Sequence, residues 1–190
     1  MNLFTYIFLI SLFAGILVQW LLVYKHSSCI LKNRSNVPDA FSDKISIEAH
    51  QKAADYTRAK VKLGLFELIV GSIIIMLWTI GGGLELLDNL WRAYEMSEII
   101  TGTIMILSVF AIMAILDLPI SLFKIFKLEQ SFGFNKMTTK IFFQDLLKST
   151  LMGLVIGTPL ILLVLWIMKS SGDYWWVYVC LLYTSPSPRD

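Results

Sequence analysis

The sequence is poor in the residues that build metal sites and disulfide frameworks. It contains only two cysteines, Cys29 and Cys180, and two histidines, His26 and His50. The cysteines form no C-x-x-C pair, so neither a disulfide framework nor a thiolate zinc site is supported. The histidines do not form H-E-x-x-H, the pattern that places two imidazoles one helical turn apart around zinc. These residues therefore predict no metal site and no catalytic centre within the chain.

Charged residues are also scarce, at 16% of the chain, whereas hydrophobic residues make up 56%. A soluble domain has about 25% charged residues and about 45–50% apolar ones. The formal net charge of +2 is too small to indicate nucleic acid as a partner. With a mean hydropathy of +0.69, the composition is that of a membrane protein whose surroundings are the lipid bilayer.

Four hydrophobic runs approach the roughly 20 residues that cross a bilayer core. Backbone in hydrocarbon must satisfy its own hydrogen bonds, so each run is predicted to be a helix. The first run has no Lys or Arg before it and is longer than the apolar part of a signal peptide, so we expect it to remain as an anchor. The predicted fold class is all-α, a polytopic membrane protein with spans at about 3–24, 63–84, 99–118 and 151–168.

The loops between these runs differ in charge. Residues 25–62 hold eight Lys and Arg, and residues 119–148 hold five. The loop between the second and third spans holds only Arg92, against four acidic residues. The positive-inside rule then predicts that both basic loops are cytoplasmic and that the N-terminus is outside. Three tryptophans fit an aromatic belt on the outer side: Trp166, Trp175 and Trp176.

The loop at residues 25–62 is predicted to contain a helix. Asp43 precedes a run rich in Ala, Glu, Gln, Lys and Arg, with no Pro before Gly64. We expect a cytoplasmic helix, and its periodicity favours a solvated helix lying along the membrane surface. The alternative is a helix that continues directly into the second span. Its apolar positions recur at helical spacing, at Ile45, Ala49, Ala53 and Tyr56.

Two carboxylates lie within the predicted spans, Glu67 and Asp117. Both are close to span ends, where snorkelling reaches the interface, and the alternative is that they line a polar cavity. Gly153 and Gly157 have the G-x-x-x-G spacing that lets a neighbouring helix approach closely.

Five segments together resemble one protein family. In this order and spacing they are similar to the N-terminal half of the CAAX prenyl endopeptidases of the zinc metalloprotease type, and the resemblance covers roughly residues 30–179. The segments are NVPDAF (36–41), EAHQKAADYTRAK (48–60), GGGLELLDNLW (81–91), LPISLFKIFKLEQSFGFNKMTTKIFFQDLLK (118–148) and DYWWVY (173–178).

The resemblance implies a multi-spanning membrane protease that uses zinc held by an H-E-x-x-H helix and a downstream Glu on the cytoplasmic side. It implies a peptide substrate, cleaved near a prenylated C-terminal cysteine in eukaryotes, or membrane-associated peptides in bacteria. Because H-E-x-x-H is absent from the sequence, we expect this fragment to bind no catalytic zinc and to be inactive alone.

The segment around FGFN is expected to be a cytoplasmic platform on which the zinc domain docks. Phe132, Phe134, Phe142 and Phe143 can pack against a neighbouring domain, and Gly133 permits a turn that a Cβ would hinder. Thr138 or Thr139 is expected to cap a helix that merges into the fourth span. The family-motif residues assigned to this platform are Glu129, Phe132, Gly133, Phe134, Asn135, Thr138, Asp145 and Lys148.

The last eleven residues, CLLYTSPSPRD at 180–190, do not continue the hydrophobic pattern. They resemble the translation of a transposon-end sequencing adapter, and a short natural tail is the alternative. We therefore expect residues 1–179 to be the native N-terminal transmembrane domain and the catalytic half to lie beyond Val179.

Two other classes of function remain open on the residues alone. One is a catalytically inactive membrane scaffold. The other is a small four-span transporter or channel subunit, with Glu67 or Asp117 in its ion pathway. The expected location is a bacterial plasma membrane, or the endoplasmic reticulum membrane if the source is eukaryotic, and the residues indicate no particular oligomeric state.

Overall fold

The computed structural model describes residues 2–38, 41 and 43–183, and every regular element within them is helical. The predicted all-α fold class is confirmed. The expected adapter-derived tail lies outside the described residues from position 184 onward. In chain order the elements are α1 (Leu3–Asn33), α2 (Ile47–Thr79), α3 (Gly83–Arg92), α4 (Glu98–Phe123), a π-helical segment (Lys124–Glu129), α5 (Thr139–Ser170), a 3-10 turn (Gly172–Tyr174) and α6 (Trp175–Tyr183).

Four of these helices are long and apolar enough to cross a membrane. They are α1, α2, α4 with the π-helical segment, and α5. Helices α1, α4 with the π-helical segment, and α5 extend beyond their predicted spans because polar residues at their ends continue the helix. Helix α2 begins earlier than the predicted second span but ends at Thr79, so the predicted end at 84 is wrong, because the chain turns at Gly82. In α2, the helix predicted for the first loop and the second span form one continuous helix, which is the alternative that the periodicity did not favour.

Helices α2 and α5, which begin in the two basic loops, each start at a residue whose side chain caps the helix. The hydroxyl of Ser46 accepts a hydrogen bond from the Ala49 amide at 3.2 Å, so α2 begins later than Asp43, the start that the sequence predicted. Thr138 caps α5 in the same way by accepting from the Ile141 amide at 3.3 Å. Thr138 is therefore the cap, and Thr139 is the first helical residue.

Helix α3 was not predicted. It begins at the last of the three glycines at 81–83, which were expected to be only a flexible exit from the second span. Gly82 adopts a positive φ of 76°, which turns the chain between α2 and α3. Leu87 is buried on one side of α3, and Arg92 Nε lies 2.6 Å from Asp88 Oδ2 on its polar side. A helix of only ten residues shows too few turns for its apolar periodicity to be recognised from the sequence.

The chain divides into two compact units. Unit 1 comprises Met1–Gly83 and Leu118–Lys136, and unit 2 comprises Leu84–Asp117 and Met137–Asp190. In unit 1, α1 and α2 run antiparallel, because His26 lines a cavity with Val61 whereas Gly15 lines one with Ser72.

The ends of α1 and α2 in unit 1 are joined by polar contacts. Arg34 donates from Nε and from a terminal nitrogen to the two carboxylate oxygens of Asp55, each at 2.8 Å. This bond and the carboxylate charge raise the pKa of the Arg34 guanidinium. His50 Nε2 lies 3.0 Å from the carbonyl of Asn33, at the C-terminus of α1. These contacts hold the polar first turns of α2 against the end of α1.

In unit 2, α4 and α5 are joined at one end by an ion pair. Lys169 Nζ lies 3.0 Å from Glu98 Oε2. Near this end the helices approach closely, since a Cβ on Gly102 would lie 3.2 Å from a methyl group of Leu165. The close approach predicted at Gly153 and Gly157 is not found: a Cβ on either glycine would meet no described atom within 4 Å. The glycines instead line an apolar cavity of about 450 Å³ with residues of α4.

Few side chains are buried among the described residues, as a bundle in lipid requires. The buried polar residues Ser72, Thr101 and Thr103 donate their hydroxyl hydrogens to carbonyls in or just before their own helices. Such bonds satisfy a hydroxyl where water is absent. The large apolar side chains of the spans are mostly exposed on the surface of the chain, where acyl chains or other helices can cover them.

Candidate functional site

The segment around FGFN begins as a glycine-terminated helix end. The Gly133 amide donates to the Gln130 carbonyl at 3.0 Å, and the Phe134 amide donates to the Glu129 carbonyl at 2.9 Å. Gly133 has a φ of +70°. Together these are the two hydrogen bonds and the left-handed residue of a Schellman motif. The turn expected at Gly133 is confirmed.

The two phenylalanines of the turn pack on Tyr56 of α2. The Tyr56 ring centroid lies 5.5 Å from that of Phe132 and 4.8 Å from that of Phe134, both in edge-on geometry. Lys52 lies one turn before Tyr56, with its Nζ 5.5 Å from the centre of the Phe134 ring. We call these four residues the Tyr56 cluster. Part of the aromatic surface expected to contact another domain is thus used within unit 1.

Part of the Tyr56 cluster is left exposed on the surface of the chain. Phe134 remains 48% exposed, and Lys52 is exposed beside it. Glu129 and Asn135 flank the turn and are half-buried. An exposed aromatic ring on a turn with a fixed backbone is a suitable contact for a protein partner.

The remaining motif residues lie in unit 2, on α5 or at its start. Thr138 caps the helix, and Phe142 is buried and packs edge-on against Phe143 with ring centroids 5.4 Å apart. Asp145 and Lys148 are exposed on the same helix. Phe132, Gly133 and Phe134 are therefore positioned by unit 1, and Thr138, Asp145 and Lys148 by unit 2.

Glu67 and Asp117 belong to different units. Glu67 Oε1 lies 4.0 Å from Lys124 Nζ, and both side chains are only about a third exposed. This pair bridges α2 and the π-helical segment within unit 1. Asp117 is exposed in unit 2.

The two histidines and Cys29 line one cavity of about 330 Å³ between α1 and α2. The side-chain Nδ2 of Asn33 donates to Cys29 Sγ at 3.5 Å, and His50 contacts the backbone carbonyl of Asn33. Within the described ranges, no group of three or more His, Cys, Asp or Glu is arranged to hold a metal ion. The described residues therefore do not fit a catalytic zinc ion, and no chemical step through zinc can be assigned to them.

Sequence reasoning missed the residues that fix the turn. Tyr56 was noted only as an apolar position of a helix, and Lys52 as one of many basic residues. The Arg34–Asp55 bond was also missed, since its partners are 21 residues apart with no periodic relation. The one available signal was Tyr56 itself, an aromatic residue in a helix segment otherwise rich in alanine and charge.

Comparison with known proteins identifies the family. Residues 27–186 match the family described as CAAX prenyl protease N-terminal, five membrane helices. The chain belongs to this family. The described residues of this CAAX prenyl protease N-terminal domain contain four candidate spans, and most of the first, Leu3–Asn33, precedes the matched range.

The relatives match over most of this chain but over a minor part of their own length. The CAAX prenyl protease 1 homologue of Dictyostelium discoideum is 28% identical over 163 residues, 82% of this chain and 38% of the relative. The Caenorhabditis elegans homologue is 30% identical over 151 residues, 79% of this chain and 33% of the relative. The domain thus spans between a third and two fifths of the length of these relatives.

A solved structure shares the fold. The crystal structure of Saccharomyces mikatae Ste24p superposes with a TM-score of 0.78 at 24% sequence identity, covering 90% of this chain and 41% of that protein. At this identity the likeness supports the fold alone. The segments that carried the resemblance in the sequence all lie within the range 27–186 that the family matches.

Proposed function

We propose that the chain is the membrane-embedded N-terminal part of a zinc metalloendopeptidase that cleaves prenylated C-terminal peptides or other membrane-associated peptides. The observation that carries this proposal is the family match over residues 27–186. The relatives that it resembles are named CAAX prenyl proteases and are more than twice as long as the matched segment. The activity is accordingly a property of a longer protein.

In this proposal zinc is held by the part of the relatives that this chain does not cover. We further propose that residues 180–190 are adapter-derived, although the family match extends to residue 186. This fragment alone binds no catalytic zinc and cleaves nothing. The absence of H-E-x-x-H from the 190 residues supports placing the zinc ligands in another part of the protein.

In this proposal the spans of this chain anchor the protease in the membrane, and the platform around FGFN docks the zinc domain. The exposed side of Phe134 supports this role, because the ring is fixed by Tyr56 on one edge and open on the other. The exposed Asp145 and Lys148 on α5 supply further polar contacts. Glu129 and Gly133 act by shaping the turn.

The decisive experiment uses the intact gene. Sequencing past codon 179 is expected to reveal an H-E-x-x-H helix about one domain downstream, and the purified full-length protein is expected to cleave a farnesylated CAAX peptide. A zinc chelator should abolish cleavage, and added zinc should restore it. A gene that continues without a paired-histidine helix would contradict the protease proposal and support a scaffold.

The docking role is tested separately in that full-length protein. Phe134→Ser is expected to lower kcat/KM roughly tenfold, as for loss of a contact at the centre of an interface. Tyr94→Ser is the matched control, because Tyr94 is also an exposed aromatic residue but lies outside the platform. Deletion of residues 130–145 should abolish activity. Unchanged cleavage by both Phe134→Ser and the deletion would rule out the platform while leaving the protease proposal intact.

The transporter alternative is disfavoured by the surroundings of Glu67. Its carboxylate faces Lys124 at 4.0 Å, which suits a structural contact between α2 and the π-helical segment better than an ion pathway. Ion flux through reconstituted protein that depends on Glu67 or Asp117 would reverse this preference.

A further inference from the structure

One face of α2 changes from cationic to apolar along its length. Arg58 and Lys62 are one turn apart, and Phe66, Ile69 and Ile73 continue the same stripe at spacings of three or four residues. The three apolar side chains are 55%, 43% and 52% exposed. We call these five residues the α2 stripe.

From Lys62 onward, the α2 stripe faces neither of the neighbours that α2 has within unit 1. Helix α1 packs against a different side of α2, through Gly64, Leu65 and Leu68. The FGFN turn and the π-helical segment contact a third side, through Tyr56 and Glu67. Because an α-helix places residues four apart on the same face, positions 62, 66, 69 and 73 lie away from both. Arg58 lies one turn after Asp55, which binds Arg34.

The cationic end of the stripe has one acidic neighbour, Asp55, and two basic groups act on its carboxylate. The hydrogen bond from Arg34 and, to a smaller extent, the charge of Arg58 lower the pKa of Asp55. Arg58 Nε is buried without a hydrogen-bond partner among the described residues. Asp55, three residues earlier, already accepts two hydrogen bonds from Arg34. Lys62 is exposed and forms no ion pair with a described residue. A buried guanidinium N–H without an acceptor is unfavourable, and phosphate oxygens match guanidinium geometry.

The position of the two cations along α2 fits the headgroup level of a membrane. Lys62 directly precedes Leu63, where the apolar run begins. On α1, His26 lines the same cavity as Val61, and Lys25 lies next to it in the sequence. A basic residue at the end of the first span and another at the start of the second mark the same aqueous interface, where anionic headgroups attract them.

We propose that the α2 stripe binds an anionic phospholipid, with its phosphate at Arg58 and Lys62 and an acyl chain along Phe66, Ile69 and Ile73. A soluble phosphate would occupy the cations but leave the apolar part bare. A purely apolar helix from another chain would cover the apolar part but bring no charge to Arg58. An amphiphile with an anionic head satisfies both ends, and the interaction is independent of any protease activity.

The first test measures lipid preference of the full 190-residue chain. The protein is purified into nanodiscs of equal phosphatidylglycerol and phosphatidylcholine, and retained lipids are counted by native mass spectrometry. The wild-type chain should retain the anionic lipid preferentially. Because each basic side chain near a membrane surface contributes on the order of fivefold in affinity, Arg58→Gln with Lys62→Gln should lower that preference at least roughly tenfold.

Lys60→Gln is the matched control. Lys60 lies between the two cations in sequence, and its substitution removes one positive charge, as each single substitution in the double variant does. Lys60 is on another side of the helix, with its Nζ 6.0 Å from the centre of the Tyr56 ring. This variant should keep the preference. An equal loss in Lys60→Gln and in the double variant would overturn the proposal, since it would show a diffuse charge effect. Absence of any preference in the wild-type chain would overturn it as well.

The second test identifies what covers the apolar part. A photoreactive p-benzoylphenylalanine in place of Ile69 is expected to give an adduct with the mass of one phospholipid, mainly the anionic one. In the Arg58→Gln and Lys62→Gln background the anionic adduct should decline. An adduct with the mass of a second chain would show a protein contact instead and contradict the proposal. Displacement of the lipid by millimolar inorganic phosphate would likewise contradict it.

Discussion

Gly133 is the residue on which the shape of the FGFN turn depends most directly. Its φ of +70° lies in the left-handed region, and its amide and that of Phe134 satisfy carbonyls at the preceding helix end. A Cβ there would meet only the end of Lys52, 3.6 Å away, which is an ordinary contact. The constraint on this position is therefore the backbone conformation, not the available space.

Substituting Gly133→Ala should destabilise the turn by about 1–2 kcal/mol, the cost of a left-handed conformation for an L-residue. Hydrogen exchange of the amides at 133 and 134 should become roughly five- to thirtyfold faster. Gly15→Ala is the control, because Gly15 is inside α1 with no atom near a new Cβ, and it should be neutral or slightly stabilising. Wild-type exchange rates in Gly133→Ala would show that the turn does not need the left-handed conformation.

Helices α2 and α5 share a construction in which a polar, capped segment continues into an apolar span. Ser46 and Thr138 satisfy amides at the two starts, and no Pro or Gly interrupts the passage from polar to apolar residues before Gly64 or Gly153. Pro119 lies inside α4, five residues before the π-helical segment, and Pro159 lies inside α5. Membrane helices tolerate such prolines because nearby groups satisfy the carbonyl that is freed.

The cap of α5 gives a prediction for this element. Thr138→Ala should cost about 1 kcal/mol, since the Ile141 amide loses its acceptor. Exchange protection should fall at the first turn of α5, residues 139–142, while the middle of the span stays protected. Thr138→Ser keeps the hydroxyl and should behave like the wild-type chain. Equal protection in the alanine and serine variants would argue against a contribution from the cap.

At the scale of the whole molecule, the distribution of charge predicts the orientation in the membrane. The basic first loop and the basic third loop flank a poorly basic second loop. The four candidate spans keep this alternation, because α1 and α2 enclose the first loop while α4 and α5 enclose the third. The prediction that the N-terminus is outside rests on this pattern.

Cysteine labelling tests the orientation. In a background with Cys29→Ser and Cys180→Ser, a cysteine at Tyr94 should react with an impermeant maleimide in intact cells, whereas one at Lys136 should react only after permeabilisation. Both positions are exposed on the chain, so differences in reactivity report the side of the membrane. Labelling at Lys136 in intact cells would reverse the orientation.

Much of the fold follows from the sequence because the bilayer leaves few choices. A long apolar run in hydrocarbon can only be a helix, so the four spans were predictable from local residues. The cap at Thr138 was predictable in the same way. The long motif around FGFN likewise identified the family before any geometry was known. These features depend on neighbours in sequence or on the solvent, and neither requires knowledge of tertiary contacts.

The tertiary structure decided the features that depend on contacts between distant residues. The placement of Phe132 and Phe134 on Tyr56, the Arg34–Asp55 bond and the Glu67–Lys124 pair each join residues from different helices or loops. The short helix α3 and the open space at Gly153 and Gly157 were also settled only by packing. No periodicity specifies which of many exposed side chains will meet, because that choice depends on the angles and register at which whole helices pack.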